Sequence, residues 1–236
     1  MSVAMNSFFS RLASWLILLV VATGSFADEL SDAETNDQAI KVQIRHQFEP
    51  IIQHVNAQLK ANLAVYKQDP RAYSEFINQN LRTNWDPAST SSALIGRKQF
   101  QALDEDHRQQ LVAAVDVTLV RYGFEGFEFY SGQQFSLEDI AISRSGEMAW
   151  LQVVMESPII PDLNLDILIK RNDTGGWKAV DVRFQGITFV AVKKYQYRKL
   201  LDKQGIQGLI EALTIKNNGF FSQLCDLKDR LDNQTC

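Results

Sequence analysis

The sequence predicts an α+β domain in which a curved antiparallel sheet of about four strands packs against several helices, with space for an apolar pocket between them. Strand-length runs rich in Val, Ile, Leu and aromatic residues lie between Glu147 and Val192, and turn sequences separate them. Apolar residues recur at helical spacing before these runs and again after them. Helices, then a meander, then helices again is an order typical of this fold class.

The first residues have the pattern of a secretory signal. Arg11 precedes an apolar run over Trp15–Ala22, and small residues at Ser25 and Ala27 form a cleavage site. The alternative is a membrane anchor, but the run is shorter than the roughly 20 apolar residues that a bilayer span needs. We therefore expect cleavage after Ala27. The predicted organisation is a signal peptide over residues 1–27, one domain over 28–214 and a tail over 215–236.

The first predicted helical stretch begins at Ile40, and its apolar residues continue to Tyr66. Pro50 interrupts the pattern and leaves two alternatives, one kinked helix or a second helix that begins there, because proline lacks the N–H of the helical ladder. Asp69 and Pro70 then form an N-cap followed by proline in the first turn of the next helix.

Two further helices are predicted ahead of the sheet. Residues 89–92 are a run of Ser and Thr that leads into Ala93 and Leu94, which indicates a helix start within one domain. Asp104 caps a longer helix with an apolar stripe along one side. The stripe consists of Leu111, Val115, Leu119 and Tyr122.

The strands are predicted over residues 127–136, 147–156, 163–171 and 177–192. Side chains alternate between the two faces of a strand. In the third strand this alternation places Leu165 and Ile167 on one face, and Asn164 and Asp166 on the other. The pattern predicts a meander with one apolar face.

After the sheet, a helix is predicted over Tyr195–Lys203, Gly205 ends it, and another short helix begins near Leu209. The tail contains the two cysteines of the chain, Cys225 and Cys236. In an exported chain, two cysteines most simply form one disulfide. The alternative, a catalytic cysteine, needs a nearby histidine, and all three histidines lie far upstream in the sequence.

The charge of the chain disfavours nucleic acid as a partner. The 24 Lys and Arg residues are outnumbered by 28 Asp and Glu residues, so the formal net charge is −4. The densest basic cluster is Lys193-Lys194 with Arg198-Lys199, and we expect it to be a solvated helix face.

The sequence contains none of the common catalytic motifs. It has no G-x-S-x-G, no G-x-G-x-x-G, no phosphate-binding loop and no H-E-x-x-H. His46 and His54 lie eight residues apart with Glu49 between them, but a metal site there would need a third ligand from elsewhere. Exposed positions on an amphipathic helix are the simpler interpretation, and no metal site is predicted.

Asp181 is the most unusual carboxylate, because it lies between Val180 and Val182 in an apolar strand. In one interpretation it is a buried general base with a raised pKa. In the other, alternation places it on the opposite face from the two valines, where Lys178 or Arg183 pairs with it. We favour the structural interpretation, since the sequence offers no second catalytic group nearby.

The region from Phe184 to Val192 is apolar with almost no polar interruption. Gly186 within it suggests a bend or the close approach of another group. A curved sheet covered by long helices can leave an apolar pocket that suits hydrophobic ligands. An ordinary, filled core is the alternative.

Several segments occur in the order and spacing of a known family signature. They are Trp85-Asp86, Leu94-Ile95-Gly96 and residues 176–182 (GWKAVDV), 185–190 (QGITFV), 197–201 (YRKLL) and 205–213. Together they resemble the periplasmic phospholipid-binding proteins called MlaC or toluene-tolerance proteins, from about Ile40 to Leu213. The sequence departs from that pattern at Lys98-Gln99-Phe100, where the family has an aromatic pair, and at Thr188, where serine is usual.

The resemblance implies a monomeric carrier that moves phospholipid through the periplasm. In that family the carrier shuttles between an outer-membrane lipoprotein–porin complex and an inner-membrane ABC transporter, and so maintains the lipid asymmetry of the outer membrane. It implies phospholipid as cargo, with no cofactor, no catalytic residue and no nucleic acid. The alternative is an enzyme on a cone-shaped α+β fold with Asp181 as its base.

The predicted lipid-binding residues follow from strand alternation and helical spacing. We expect acyl chains to lie between the sheet and the helices. The predicted residues are Leu111, Val115 and Leu119 on the helix, and Leu151, Val153, Met155, Leu165, Ile167, Val180, Val182, Ile187 and Val190 on the sheet.

Overall fold

The computed structural model describes residues 24–156 and 161–232, with side chains described over 35–156 and 161–224. The described residues divide into two compact units between Gln43 and Ile44, and the whole sheet belongs to the second unit. Residues 1–23 of the predicted signal, Cys236 and the side chain of Cys225 lie outside the described residues. The signal and the disulfide therefore stay predictions.

The described part of the chain contains six α-helices, a short 3-10 helix and five strands. The helices are α1 (Gly24–Gln68), α2 (Pro70–Asn80), α3 (Pro87–Ile95), α4 (Arg97–Ala102), α5 (Glu105–Phe127) and α6 (Phe189–Asp232), and the 3-10 helix is Arg82–Asn84. The strands are β1 (Gln134–Ile142), β2 (Met148–Glu156), β3 (Leu163–Arg171), β4 (Trp177–Phe184) and β5 (Ile187–Thr188).

The helix starts follow from their caps. The Asp69 carboxylate accepts a hydrogen bond from the N–H of Arg71 at 2.9 Å, with Pro70 in the first turn of α2. Asp104 caps α5 in the same way, through the N–H of His107 at 2.9 Å. Both predicted caps are confirmed.

Two other helix boundaries differ from the sequence-based expectation or decide between its alternatives. Pro50 lies inside α1, so the first stretch is one helix and no second helix begins there. α3 begins at Pro87, ahead of the predicted start at residues 89–92, because the Asp86 carboxylate accepts a hydrogen bond from the N–H of Ser89.

The five strands form one antiparallel sheet in the order β1-β2-β3-β4-β5. The register shifts at two places, between Leu137 and Asp139 in β1 and opposite Leu168 and Ile169 of β3, where Val180 of β4 is left unpaired. Such bulges increase the local twist and bend the strand. The expected curved meander is therefore present, and the short β5 makes the number of strands five instead of four.

The first strand was predicted to begin at Phe127, which is wrong. α5 continues through Phe127, and β1 begins at Gln134. The aromatic residues of this region favour a strand by composition, but Phe127 belongs to α5 and its ring packs against α2. The ring centroids of Phe127 and Tyr73 are 4.0 Å apart in a stacked pair, and Phe124 meets Tyr73 edge-on at 4.9 Å.

The fourth strand was predicted to continue to Val192, which is also wrong. β4 ends at Phe184, and Gln185 (φ 48°) and Gly186 (φ 83°) form a tight turn into β5. α6 then begins at Phe189. Two N–H groups of its first turn donate hydrogen bonds to side chains. The N–H of Ala191 donates to the Thr188 hydroxyl, and the N–H of Val190 donates to the Asp181 carboxylate of β4.

α6 is bent at Gly205, which has φ 67° and ψ −168° and is not helical. The predicted helix end at this glycine is confirmed as a break between two helical segments. The second segment is longer than expected, because it continues to Asp232. Phe220 and Phe221 on this segment contact Phe124 of α5, with ring centroids 6.1 Å and 5.8 Å apart.

Candidate functional site

One face of the sheet, here called the inner face, is apolar across all four long strands. Directly paired residues share a face, and Leu151 of β2 is paired with Ile140 of β1 and with Ile167 of β3, which is paired with Val182 of β4. The next row is Leu137, Val153, Leu165 and Phe184. The predicted alternation of β3 is confirmed by this register.

Coverage of the inner face is uneven. At one end, here called the closed end, the side chains are completely buried: Ile140, Leu151, Ile169 and Trp177 are 0% exposed and Ala149 is 1% exposed. At the other, here called the open corner, the side chains of β3 and β4 are half-buried or exposed. The open corner consists of Leu163, Leu165, Ile167, Val182 and Phe184.

Two polar side chains of α1 form hydrogen bonds with the two outer strands of the four-stranded part of the sheet. The Gln47 amide donates to the carbonyl of Trp177 at 2.8 Å and accepts from its N–H at 3.2 Å, at the start of β4. The Asn56 amide does the same with Phe135, at 2.7 Å and 2.9 Å, near the start of β1. In this meander β1 and β4 run in opposite directions, so α1 lies diagonally across the sheet.

The open corner lies on the far side of this diagonal, at the end of β4 and the start of β3. Phe184 is 48% exposed there although it lies on the apolar face of the sheet. Large apolar side chains that face inward and still contact solvent are not covered by the described protein residues. The corner is therefore an apolar surface that a hydrophobic molecule could cover.

The predicted residues on helices are divided between buried and partly buried positions. Leu111 and Val115 of α5 are buried in a cluster with helices α3 and α6, at 1% and 2% exposure. Leu119, one turn further along α5, and Val190 in the first turn of α6 are partly buried at the margin of that cluster. Val190 was predicted on a strand, and its place on α6 follows from the early end of β4.

The predicted sheet residues differ in their environments. Leu151 and Val153 are buried in the sheet, Val180 is buried at the bulge, and Ile187 is 63% exposed on β5. Met155 is half-buried on the row that pairs with Phe135 and Leu163. The residues at the open corner are Leu165, Ile167 and Val182. Contact of any of these residues with lipid stays a prediction.

Leu163 and Phe184 also line the open corner, although they are absent from the predicted set. The signal that finds them is the same alternation that selects Leu165 and Val182, extended by one step of two residues along each strand. Both lie at strand ends next to turns, where the sequence pattern is least informative about burial.

The outer face of the sheet is polar in the same region. Asp166 of β3 accepts hydrogen bonds from the Arg183 guanidinium of β4, with Nε–Oδ2 at 2.8 Å, and the guanidinium lies over the Trp150 ring at 4.2 Å. This ion pair uses the arginine that the sequence offered as a partner for Asp181. The other proposed partner, Lys178, bonds to the carbonyl of Thr83.

Asp181 binds backbone groups instead, so the predicted side-chain pairing is wrong. Its Oδ1 accepts hydrogen bonds from the N–H of Val182 at 2.8 Å and from the N–H of Val190 at 3.1 Å. Burial raises the pKa of Asp181, and these two N–H groups oppose that rise. The carboxylate therefore fixes the first turn of α6 to β4, which is a structural role.

A second polar cluster joins α5 to the second segment of α6. Asn217 is 2% exposed, accepts a hydrogen bond from Arg121 Nε at 3.0 Å, and donates to the carbonyl of Ala114 at 3.0 Å. Arg121 also pairs with Glu125, and its ring neighbour is Tyr122 at 4.4 Å. A shallow groove of about 300 Å³ runs beside Asn217 between the two helices. It is separate from the inner face of the sheet.

The family model of the MlaC protein matches residues 29–214. The chain belongs to the MlaC family. The match ends at Thr214, one residue after the segment 205–213, and does not include Asn217. The second segment of α6 therefore extends beyond the matched part of this MlaC-family chain.

A solved structure with a similar fold is a phospholipid-binding protein from Ralstonia solanacearum in complex with a phospholipid. Its TM-score to this MlaC-family chain is 0.65 at 16% sequence identity, and the alignment covers 75% of this chain and 98% of that one. This similarity supports the α+β fold. No curated protein matches the chain. Across residues 24–156 and 161–232, no helix is long and apolar enough to cross a bilayer.

Proposed function

We propose that this protein is a periplasmic phospholipid carrier whose acyl chains cover the open corner of the inner face. The observation that carries the proposal is the uneven cover of one continuous apolar face, closed at Leu151 and Trp177 and exposed at Phe184. Membership of the MlaC family supports it. A phospholipid bound to the structural neighbour from Ralstonia solanacearum supports it further.

The physical basis is burial of hydrocarbon. Each methylene removed from water contributes about 0.8 kcal/mol, so covering the open corner with acyl chains stabilises both the lipid and the exposed side chains. A headgroup needs no such cover and can remain in water. A carrier of this kind tolerates different headgroups, and a partner has to accept the phospholipid because spontaneous release of acyl chains into water is slow.

The proposed cycle follows the family. The chain is exported, its signal is cleaved after Ala27, and the carrier moves phospholipid between an outer-membrane lipoprotein–porin complex and an inner-membrane ABC transporter. This activity maintains the lipid asymmetry of the outer membrane. The carrier needs no catalytic group, which agrees with the use of the Asp181 carboxylate as a cap for α6.

The proposal is tested by native mass spectrometry of freshly purified protein, together with solvent extraction and lipid analysis. Wild-type protein is expected to carry phospholipid. Leu165→Trp fills the open corner and is expected to lower the bound phospholipid several-fold. Leu168→Trp is the matched control, because Leu168 is half-buried on the same strand but pairs with Trp150 and Asp181 on the outer face. It is expected to leave the bound phospholipid unchanged.

Protein that is free of phospholipid in every preparation would contradict the proposal, as would equal losses in the two tryptophan variants. The enzyme alternative is addressed by Asp181→Asn. If the protein were an enzyme with Asp181 as its base, this variant would abolish turnover. A carrier is expected to retain its bound phospholipid, since an asparagine Oδ1 still accepts a hydrogen bond from the N–H of Val190.

A further inference from the structure

Exposed apolar side chains and basic side chains lie together around the β4–β5 turn and the first segment of α6. Phe184 is 48% exposed, Ile187 63%, Val192 42% and Tyr195 70%. Arg198 and Lys199 are exposed on the same segment of α6. We call these six residues the docking patch.

The local backbone projects the apolar members of the docking patch. Phe184 and Ile187 are paired across the tight turn of Gln185 and Gly186, both of which have positive φ. α6 begins two residues after Ile187. Val192 and Tyr195 are one helical turn apart, and so are Tyr195 and Lys199, which places all three on one stripe of the helix.

The charge of this region is opposite to that of the whole chain. From Phe184 to Leu201 there are four basic residues and no acidic residue, whereas the chain has a net charge of −4. Lys193 is turned back into the domain, with its Nζ 4.7 Å from the centroid of the Tyr122 ring. The Lys199 Nζ lies 5.6 Å from the centroid of the Tyr195 ring, so an exposed aromatic ring and an exposed cation lie side by side.

We propose that the docking patch binds the surface of a membrane that contains anionic phospholipid. Apolar side chains that protrude from a turn and from a helix stripe can enter the headgroup region, where tyrosine and long basic side chains are also favourable. The cluster of basic residues is attracted to an anionic leaflet, while the acidic remainder of the chain is repelled from it. This combination favours a membrane with anionic phospholipid over a membrane with neutral phospholipid alone.

The docking patch shares Phe184 with the open corner, and Val182 lies two residues before it on the same strand. A docked molecule would therefore hold the open corner at the membrane surface. Binding to membranes is inferred from the surface alone. Its use as an entry route for phospholipid rests on the proposed function, and the experiment keeps the two separate.

The test is co-sedimentation of the purified protein with vesicles of phosphatidylcholine alone and with vesicles that also contain phosphatidylglycerol. Wild-type protein is expected to bind the anionic vesicles, and more weakly at high salt because salt screens exposed charges. The double variant Arg198→Gln, Lys199→Gln is expected to bind ~25-fold more weakly, about fivefold for each basic residue removed near an anionic surface. The double variant Val192→Ser, Tyr195→Ser is expected to lose roughly tenfold or more.

The matched controls are exposed residues outside the docking patch. Lys60→Gln with Lys98→Gln removes two basic residues, and Val65→Ser removes an apolar side chain that is 51% exposed. Both are expected to bind vesicles like the wild type. Phe184 and Ile187 are left unchanged, because Phe184 belongs to the open corner and Ile187 to the predicted lipid-binding set.

Three outcomes would overturn the inference: no binding of wild-type protein to anionic vesicles, equal losses in patch variants and controls, or burial of the docking patch by a second copy of the chain. Bound phospholipid, measured by native mass spectrometry of the same variants, is expected to be unchanged. If wild-type protein binds vesicles but never contains phospholipid, the docking inference stands and the proposed function fails. If it contains phospholipid but ignores anionic vesicles, the docking inference fails alone.

Discussion

The closed end and the open corner belong to the same face of the same sheet and have the same apolar chemistry, yet only one of them is covered. Leu151 and Trp177 are 0% exposed, whereas Leu165 is half-buried and Phe184 is 48% exposed. α1 is bonded to the sheet at two places away from the open corner, through Gln47 at the start of β4 and through Asn56 near the start of β1. A surface is therefore a core or a candidate binding site according to what lies over it.

The largest expected difference between the closed end and the open corner comes from truncating one leucine in each of them. Leu151→Ala removes a fully buried side chain and is expected to lower the free energy of unfolding by about 2–5 kcal/mol. Leu165→Ala is expected to cost less than about 1.5 kcal/mol in lipid-free protein, because its side chain is already half-exposed. Urea unfolding of both delipidated variants measures the difference. Equal costs would mean that the open corner is as well covered as the closed end.

The interface of α5 and α6 is a second covered region, and it contains a buried polar cluster beside its apolar contacts. Asn217→Ala removes the acceptor of the Arg121 Nε–H and the donor to the Ala114 carbonyl, and leaves a buried charge less well bonded. We expect a loss of about 2–3 kcal/mol in the free energy of unfolding.

Asn218→Ala is the matched control for this interface, because Asn218 is the exposed neighbour on the same helix, and it is expected to change stability by less than about 0.5 kcal/mol. Urea unfolding measures both variants. An unchanged stability of Asn217→Ala would show that the second segment of α6 is not held through this asparagine.

The smallest expected effect concerns Asp181, which joins the edge of the open corner to α6. Burial raises its pKa above the ordinary value of 3.8, so the folded protein binds this proton more tightly than the unfolded chain. Its contribution to stability is therefore fully present below that value and declines as the pH rises through the folded pKa. Asp181→Asn removes this dependence.

Relative to the wild type, Asp181→Asn is expected to become more stable as the pH rises from roughly 3 to 6, around the ordinary pKa range of aspartate. Urea midpoints at several pH values across this range check the sign. A difference between the two proteins that is constant with pH, or that decreases, would contradict the assigned role of burial at this carboxylate.

The parts of the fold that depend on short-range rules were predictable from the sequence. β3 occupies Leu163–Arg171, as its alternation indicates, and Asp69 and Asp104 cap the helices that they precede. These features require only neighbouring residues, because a cap or a strand period acts over a few positions.

The start of the first strand and the end of the fourth strand were wrongly predicted because they depend on contacts between residues distant in sequence. Aromatic residues near Phe127 and aliphatic residues near Val190 favour strands by composition, but Phe127 packs on Tyr73 and Val190 donates its N–H to Asp181. Tertiary contacts of this kind override the weak preference of single residues for strands.

The sequence by itself determined the α+β class, the apolar face of the meander, the caps of α2 and α5 and the resemblance to the MlaC family. Only the tertiary structure decided which part of that face is covered, and it separated Leu151 from Leu165, which strand alternation treats alike. The physical reason is that alternation reports which face a side chain occupies, whereas exposure depends on the course of a helix distant in sequence. Gln47 and Asn56 direct that course through bonds to residues 130 and 79 positions away.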